Sequence, residues 1–175
     1  MIWLPADQWR AAVPPVQLPR SGTLLHLVVR QFDVERHVRY RPVDGKTWCN
    51  IFVSDVTAAL GVPIPHWVTT AGRPTDHTDK DNGARELSAN KTCDWLLELG
   101  SKFGWRQIAP WDVAEKRAVA GFPTVACWKN PQPGSGHIAI LVPGGIAQAG
   151  KENFNLGSLE RGFGTGREIL FFSHD

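Results

Sequence analysis

Asp44-Gly45-Lys46-Thr47-Trp48-Cys49-Asn50-Ile51-Phe52-Val53-Ser54-Asp55-Val56 is the stretch on which the fold turns. A turn at Asp44-Gly45 leads straight into an amphipathic run. Cys49, Phe52, Val53, Val56 and Leu60 recur at three-to-four-residue spacing, which predicts a helix, and Gly61 is placed to end it. Thr47 is read as the N-cap, its hydroxyl taking an otherwise unpaired backbone N–H. Cys49 then lies in the first helical turn. There the positive end of the helix dipole favours thiolate, the nucleophilic form. The competing reading is a small buried apolar residue, the usual fate of a free cysteine. Residues elsewhere have to decide between the two.

Upstream, residues 1–22 carry Pro5, Pro14, Pro15 and Pro19 and read as an N-terminal arm, with a short helical possibility at Ala6–Ala12. Residues 23–175 read as one domain. The apolar run Thr23–Phe32 is compatible with a core helix or a buried strand, since periodicity alone does not separate them. His26 within it is read as structural. Asp33–Asp44 is a polar, basic loop feeding the cysteine helix.

Downstream, Pro63 and Pro65 force an extended path after Gly61. Residues 70–85 form a long polar loop in which Asp76, His77, Asp79 and Asp81 cluster. The loop lacks the fixed Gly and Glu of a calcium loop, so it is read as solvated and no metal is assigned. Ser88 caps a helix that Gly100 ends, with Cys93 packed inside it. Gly104–Ile108 is extended, and Trp111–Ala120 is a short helix stopping at Gly121. Strands are then expected at Phe122–Trp128, Gly136–Val142 and Ile169–Ser173, with a short fourth at Ile146–Ala149. Helices first and a small antiparallel sheet after them make the class α+β.

A nucleophilic cysteine needs a base, and the base needs a group to hold its ring. His137 opens a strand just after the Pro/Gly loop Lys129–Ser135, so its ring can project from the sheet edge toward a helix terminus. Its competing reading is a satisfied structural histidine. Gln148 is the one polar side chain in Ile146–Ala149. Its amide oxygen can accept from the imidazole Nδ1–H, though an exposed strand residue would look the same. Asn153 is the alternative third member.

Asp44–Val53 resembles the nucleophile helix of NlpC/CHAP-type papain-like cysteine peptidases and amidases. Gly136–Val142 resembles their histidine strand, and Gly121–Trp128 the strand before it. The resemblance spans roughly Arg39 to Ala149. It implies a papain-like domain, N-terminal helices packed on a small antiparallel sheet, with Cys49 as nucleophile, His137 as base and Gln148 as orienting group. It also implies that Tyr40, with Trp48 and Asn50, serves the oxyanion and substrate side. The chain departs from the family at Asn50, where typical members have Ser-Gly, in its Gln at the third position, and in lacking a Gly-Gly element upstream.

The function implied is hydrolysis of an amide bond in the peptide moiety of peptidoglycan, without a cofactor. The alternatives are a non-catalytic wall-binding or phage structural module, and a deamidase or acyltransferase toxin on the same scaffold. Composition sets the outer limits. The chain has 175 residues, a net charge of +2 and 42 % hydrophobic content. That charge is too small to argue for nucleic acid, and no apolar run approaches the ~18 residues of a membrane helix. No secretory signal is visible at Met1–Asp7, so synthesis in the cytoplasm and action on the wall after release or injection is expected. A monomer is expected. Cys49, Cys93 and Cys127 are an odd, sparse set without C-x-x-C spacing, which argues against a disulfide scaffold.

Overall fold

The computed structural model describes residues 20–175; of the arm expected over residues 1–22, residues 1–19 with the Ala6–Ala12 helix lie outside them, and Ser21 and Gly22 belong to the first helix instead. Ser21 caps the first helix, its hydroxyl accepting the Leu24 N–H at 3.1 Å. Helix α1 (Gly22–Gln31) buries Leu25, Val28 and Val29 at helical spacing, so the ambiguous apolar run is a helix. His26 is half-buried in it. A 3₁₀ turn at Val38–Tyr40 leads to α2 (Cys49–Ala59). The cap of α2 is Trp48, not Thr47, and no side chain bonds to its first turn. Seven of its residues are buried, among them Cys49, Phe52, Val53 and Val56, so α2 lies inside the protein with little face left for water. It ends at Gly61, whose φ of +77° suits a residue without a Cβ.

The extended path after Gly61 enters a miniature antiparallel sheet: β1 (Trp67–Val68) between β2 (Pro74–Thr75) and β3 (Arg85–Glu86). The polar loop folds back within this sheet. Asp79 accepts from Thr75 and Asn82, and Asp76 from the Thr78 N–H, so these carboxylates tie the loop to itself. Ser88 caps α3 (Ala89–Glu98) as the sequence indicates, accepting from the Lys91 N–H.

The main sheet has six strands, every pairing antiparallel, in the order β4 (Trp105–Ile108), β9 (Leu170–His174), β5 (Thr124–Trp128), β6 (His137–Val142), β7 (Gly145–Gln148), β8 (Phe154–Gly157). Helix α4 (Trp111–Val119) follows β4, and α5 (Leu159–Phe163) follows β8. Side chains alternate across a strand, and β6 shows the result. Ile138, Ile140 and Val142 join α2 and α3 in one core; Ala139 and Leu141 join α4 and α5 in the other. The class is therefore α+β, helices on an antiparallel sheet. Among the described residues no helix is long and apolar enough to cross a membrane.

Candidate active site

The sheet brings His137 and Gln148 together. They lie on neighbouring strands, and alternation turns both to the α5 side. The His137 Nε2 is 2.6 Å from Gln148 Oε1. Gln148, only 3 % exposed, is held in turn because its Nε2 donates to the Glu152 carbonyl at 2.9 Å. With both amide atoms engaged, the amide cannot turn over without losing two bonds. Its oxygen therefore fixes the proton on Nε2. The ring edge is set by Phe163 of α5, in T-shaped contact at 4.8 Å between centroids. The nitrogen expected to meet Gln148 was Nδ1; the structure uses Nε2. Among the described residues, Nδ1 has no hydrogen-bond partner.

Asn153 does other work. Its oxygen accepts the Gly150 N–H, and its nitrogen donates to the carbonyls of Val34 and Tyr40. This amide ties the start of β8 to the segment before α2 and leaves the histidine to Gln148.

Cys49 comes to the same strand end from the opposite face. Cys49, 3 % exposed, belongs to the α2 core, and the N–H of Ile138, on the peptide that joins His137 to its neighbour, lies close enough to the thiol to favour its thiolate form. Two further N–H groups converge on the sulfur, those of Cys49 and Asn50. Both belong to the first turn of α2, where backbone donors have no partner within the helix. No hydrogen bond joins the thiol to the imidazole. The two groups share one peptide unit, and each has a polar atom uncommitted.

Burial decides the charge state of both. It pushes the Cys49 thiol up to about 11, against the three N–H groups, with nearby Cys93 adding to the rise. The expected dipole effect loses because a helix terminus supplies about 0.3–1 kcal/mol, below the 1.36 kcal/mol of one pKa unit. Burial also lowers the His137 pKa; the Gln148 bond opposes this and the Arg167 charge reinforces it. Thiol and imidazole are thus both neutral at rest near pH 7. Cys93 and Cys127 are fully buried, and the neighbouring Cys93 together with burial raises the Cys127 thiol, which suits packing.

The residues assigned to the oxyanion side are engaged elsewhere. Tyr40 is fully buried, and its hydroxyl donates to Asp55 Oδ2 at 2.7 Å, with Arg39 Nε on the same oxygen at 2.5 Å. Asp55 lies six residues along α2 from Cys49, about 9 Å of helix rise. A hydroxyl bound there is not at the sulfur. Trp48 Nε1 donates to the Arg41 carbonyl at 2.9 Å, and Asn50 Nδ2 to the Leu87 carbonyl at 2.7 Å. Both side chains tether α2. The oxyanion donors available at the sulfur are backbone, the N–H groups of Cys49, Asn50 and Ile138. Among the described residues no group of three or more His, Cys, Asp or Glu is arranged to hold a metal. A shallow cleft of about 580 Å³ between α4, α5 and the 164–169 segment is lined by neither Cys49 nor His137.

Fold and site together define an α+β protein with a buried thiol and an oriented histidine at one strand end. In comparison with known proteins, no family model matches the chain and no curated protein matches it significantly.

Proposed function

We propose that the chain is a papain-like cysteine hydrolase of the NlpC/CHAP type that cleaves an amide bond in the peptide part of peptidoglycan. The observation that carries the reading is the 2.6 Å bond from His137 Nε2 to buried Gln148, on the strand end whose peptide N–H meets the Cys49 sulfur. A histidine held by a neutral amide through one nitrogen keeps the other for a proton transfer.

His137 Nδ1 takes the thiol proton, and the sulfur attacks the carbonyl carbon. Charge on the carbonyl oxygen is met by the backbone N–H groups at the start of α2. The C–N bond breaks, the leaving amine takes the proton from Nδ1, and water hydrolyses the thioester with His137 again as base. The missing thiol–imidazole hydrogen bond fits a resting enzyme, since catalytic hydrogen bonds often close only with substrate in place. Gln148 carries no charge, so it orients the ring but adds little to the stability of imidazolium. Incubation with purified peptidoglycan and mass analysis of the soluble products tests the assignment. New amine and carboxyl termini at one peptide bond, absent with Cys49→Ala, are expected; unchanged peptidoglycan would refute it.

One observation favours the non-catalytic alternative, a wall-binding or phage structural module. The thiol is both buried and unconnected to the ring. That reading expects binding to peptidoglycan without bond cleavage, and the same experiment separates the two.

A further inference from the structure

Arg167 lies beside the strand end that carries His137. Arg39 pairs with Asp55, Arg106 and Arg117 with Asp175, and Arg161 with Glu152. Arg167 makes no ion pair among the described residues, yet it is held in place. Its guanidinium lies 3.9 Å from the centroid of the Trp128 ring. Trp128 is the cross-strand partner of His137 in the β5–β6 register, so Arg167 is carried on the residue beside the candidate base. Its charge reaches the imidazole, where it opposes protonation. The segment bearing Arg167 follows α5, whose Phe163 sets the other side of the ring. The arginine itself is exposed.

A stacked guanidinium keeps its planar fork oriented while its N–H edges stay available, and that fork matches a carboxylate in two parallel bonds. We infer that Arg167 is a specificity-determining residue that binds a carboxylate of the substrate on the His137 side of the strand end, so the preferred ligand is an acidic peptide. The inference rests on the proposed hydrolase reading for the word substrate, but not for the binding. A lysine would not serve as well, because its point charge neither stacks nor forks.

The test measures equilibrium binding to the full-length Cys49→Ala protein, which separates recognition from turnover. The probes are a peptidoglycan stem peptide with free carboxylates and the same peptide with those carboxylates amidated. The acid is expected to bind roughly 10–100-fold tighter than the amide, the range of a charge-assisted hydrogen-bonded pair. Adding Arg167→Gln, which keeps a planar group on Trp128 without the charge, should erase that preference and leave amide binding unchanged. Equal binding of acid and amide, no binding of either, or a preference that survives Arg167→Gln overturns the inference. Equal weakening of both peptides by Arg167→Gln overturns it too, since the arginine would then only support Trp128. Hydrolysis by the wild type is read separately. If acid preference is present and hydrolysis absent, carboxylate recognition stands and the hydrolase reading fails.

Discussion

Helix α2 takes part in two polar constellations that are built differently. Toward its C-terminal half, Asp55 receives Arg39 through two nitrogens and Tyr40 through its hydroxyl, in a largely buried knot. At its N-terminus, Cys49 and His137 meet one peptide unit, and the thiol proton and Nδ1 are uncommitted. The first arrangement is what a fold needs: a carboxylate at this depth costs several kcal/mol unless its charge and lone pairs are met. The second leaves its hydrogen bonding incomplete at the thiol proton and at Nδ1, while Gln148 and Phe163 keep the ring from wandering. Chemistry requires a group that is oriented but not satisfied. By that standard the proposed function sets its chemistry at the N-terminal end of α2 and leaves the Asp55 knot a structural part.

The largest effect that tests this contrast is on turnover. Cys49→Ala should reduce hydrolysis to background, about 10⁴-fold or more. The group removed is small, so stability should fall by only about 1 kcal/mol. Residual wild-type turnover on a confirmed substrate would break the comparison at its reactive end.

Asp55→Ala should act on the other end. It takes the Asp55 carboxylate away from the Arg39 guanidinium, 5 % exposed, and loss of one member of a buried pair costs about 3–5 kcal/mol. Chemical denaturation should show that loss, while turnover per folded molecule at low temperature stays within a few-fold of wild type. If turnover collapsed with stability intact, the Tyr40–Asp55 knot would belong to the site after all.

The third contrast is between two amides five residues apart. Gln148→Ala frees the imidazole to adopt the wrong tautomer and should lower turnover about 10–100-fold, less than loss of Cys49. Asn153→Ala leaves the ring alone but strips partners from Gly150, Val34 and Tyr40 backbone groups. It should cost about 1–3 kcal/mol of stability with little change in turnover. The reverse pattern would exchange their roles.

Much of the scaffold was legible because local chemistry agrees with the final fold. Ser88 caps as read, the spacing from Cys49 to Leu60 is a helix, and His137 opens its strand. What escaped the reading has physical reasons. Strands of two residues, such as Trp67–Val68, are shorter than any period. Strand β8 and helix α5 went unassigned because Gly157 and Gly162 interrupt the pattern, although Ser158 caps α5 as Ser21 and Ser88 cap theirs. Thr47 failed as a cap because the helix begins one residue later than its hydroxyl requires. Tyr40 was assigned to the oxyanion side by the family resemblance, but its partner, Asp55, is fifteen residues away and visible only once α2 is folded. The stack of Arg167 on Trp128 likewise depends on strand register. The thiol's charge state was misjudged because a dipole can be read from position in a helix, whereas burial cannot.

That charge state yields the finest test. Burial pushes the Cys49 thiol up to about 11 and lowers the His137 pKa from its ordinary value. The competent resting form is then a neutral thiol beside a neutral imidazole. Activity should fall as acid protonates His137, at a pH below 6.5, and hold through neutrality toward the thiol's range. In an ion-pair enzyme the acid side would instead report the thiol and the basic side the imidazolium. Gln148→Glu tells these apart, because a carboxylate at 148 raises the His137 pKa in either case. For a neutral pair the acid limb moves to higher pH. For an ion pair the basic limb moves instead. The variant also faces the Glu152 carbonyl with an oxygen where Gln148 had an N–H, so stability should be measured alongside and rates compared on folded protein. A shift confined to the basic limb would show that substrate-free burial misstates the working protonation, and that the thiol gives up its proton before attack begins.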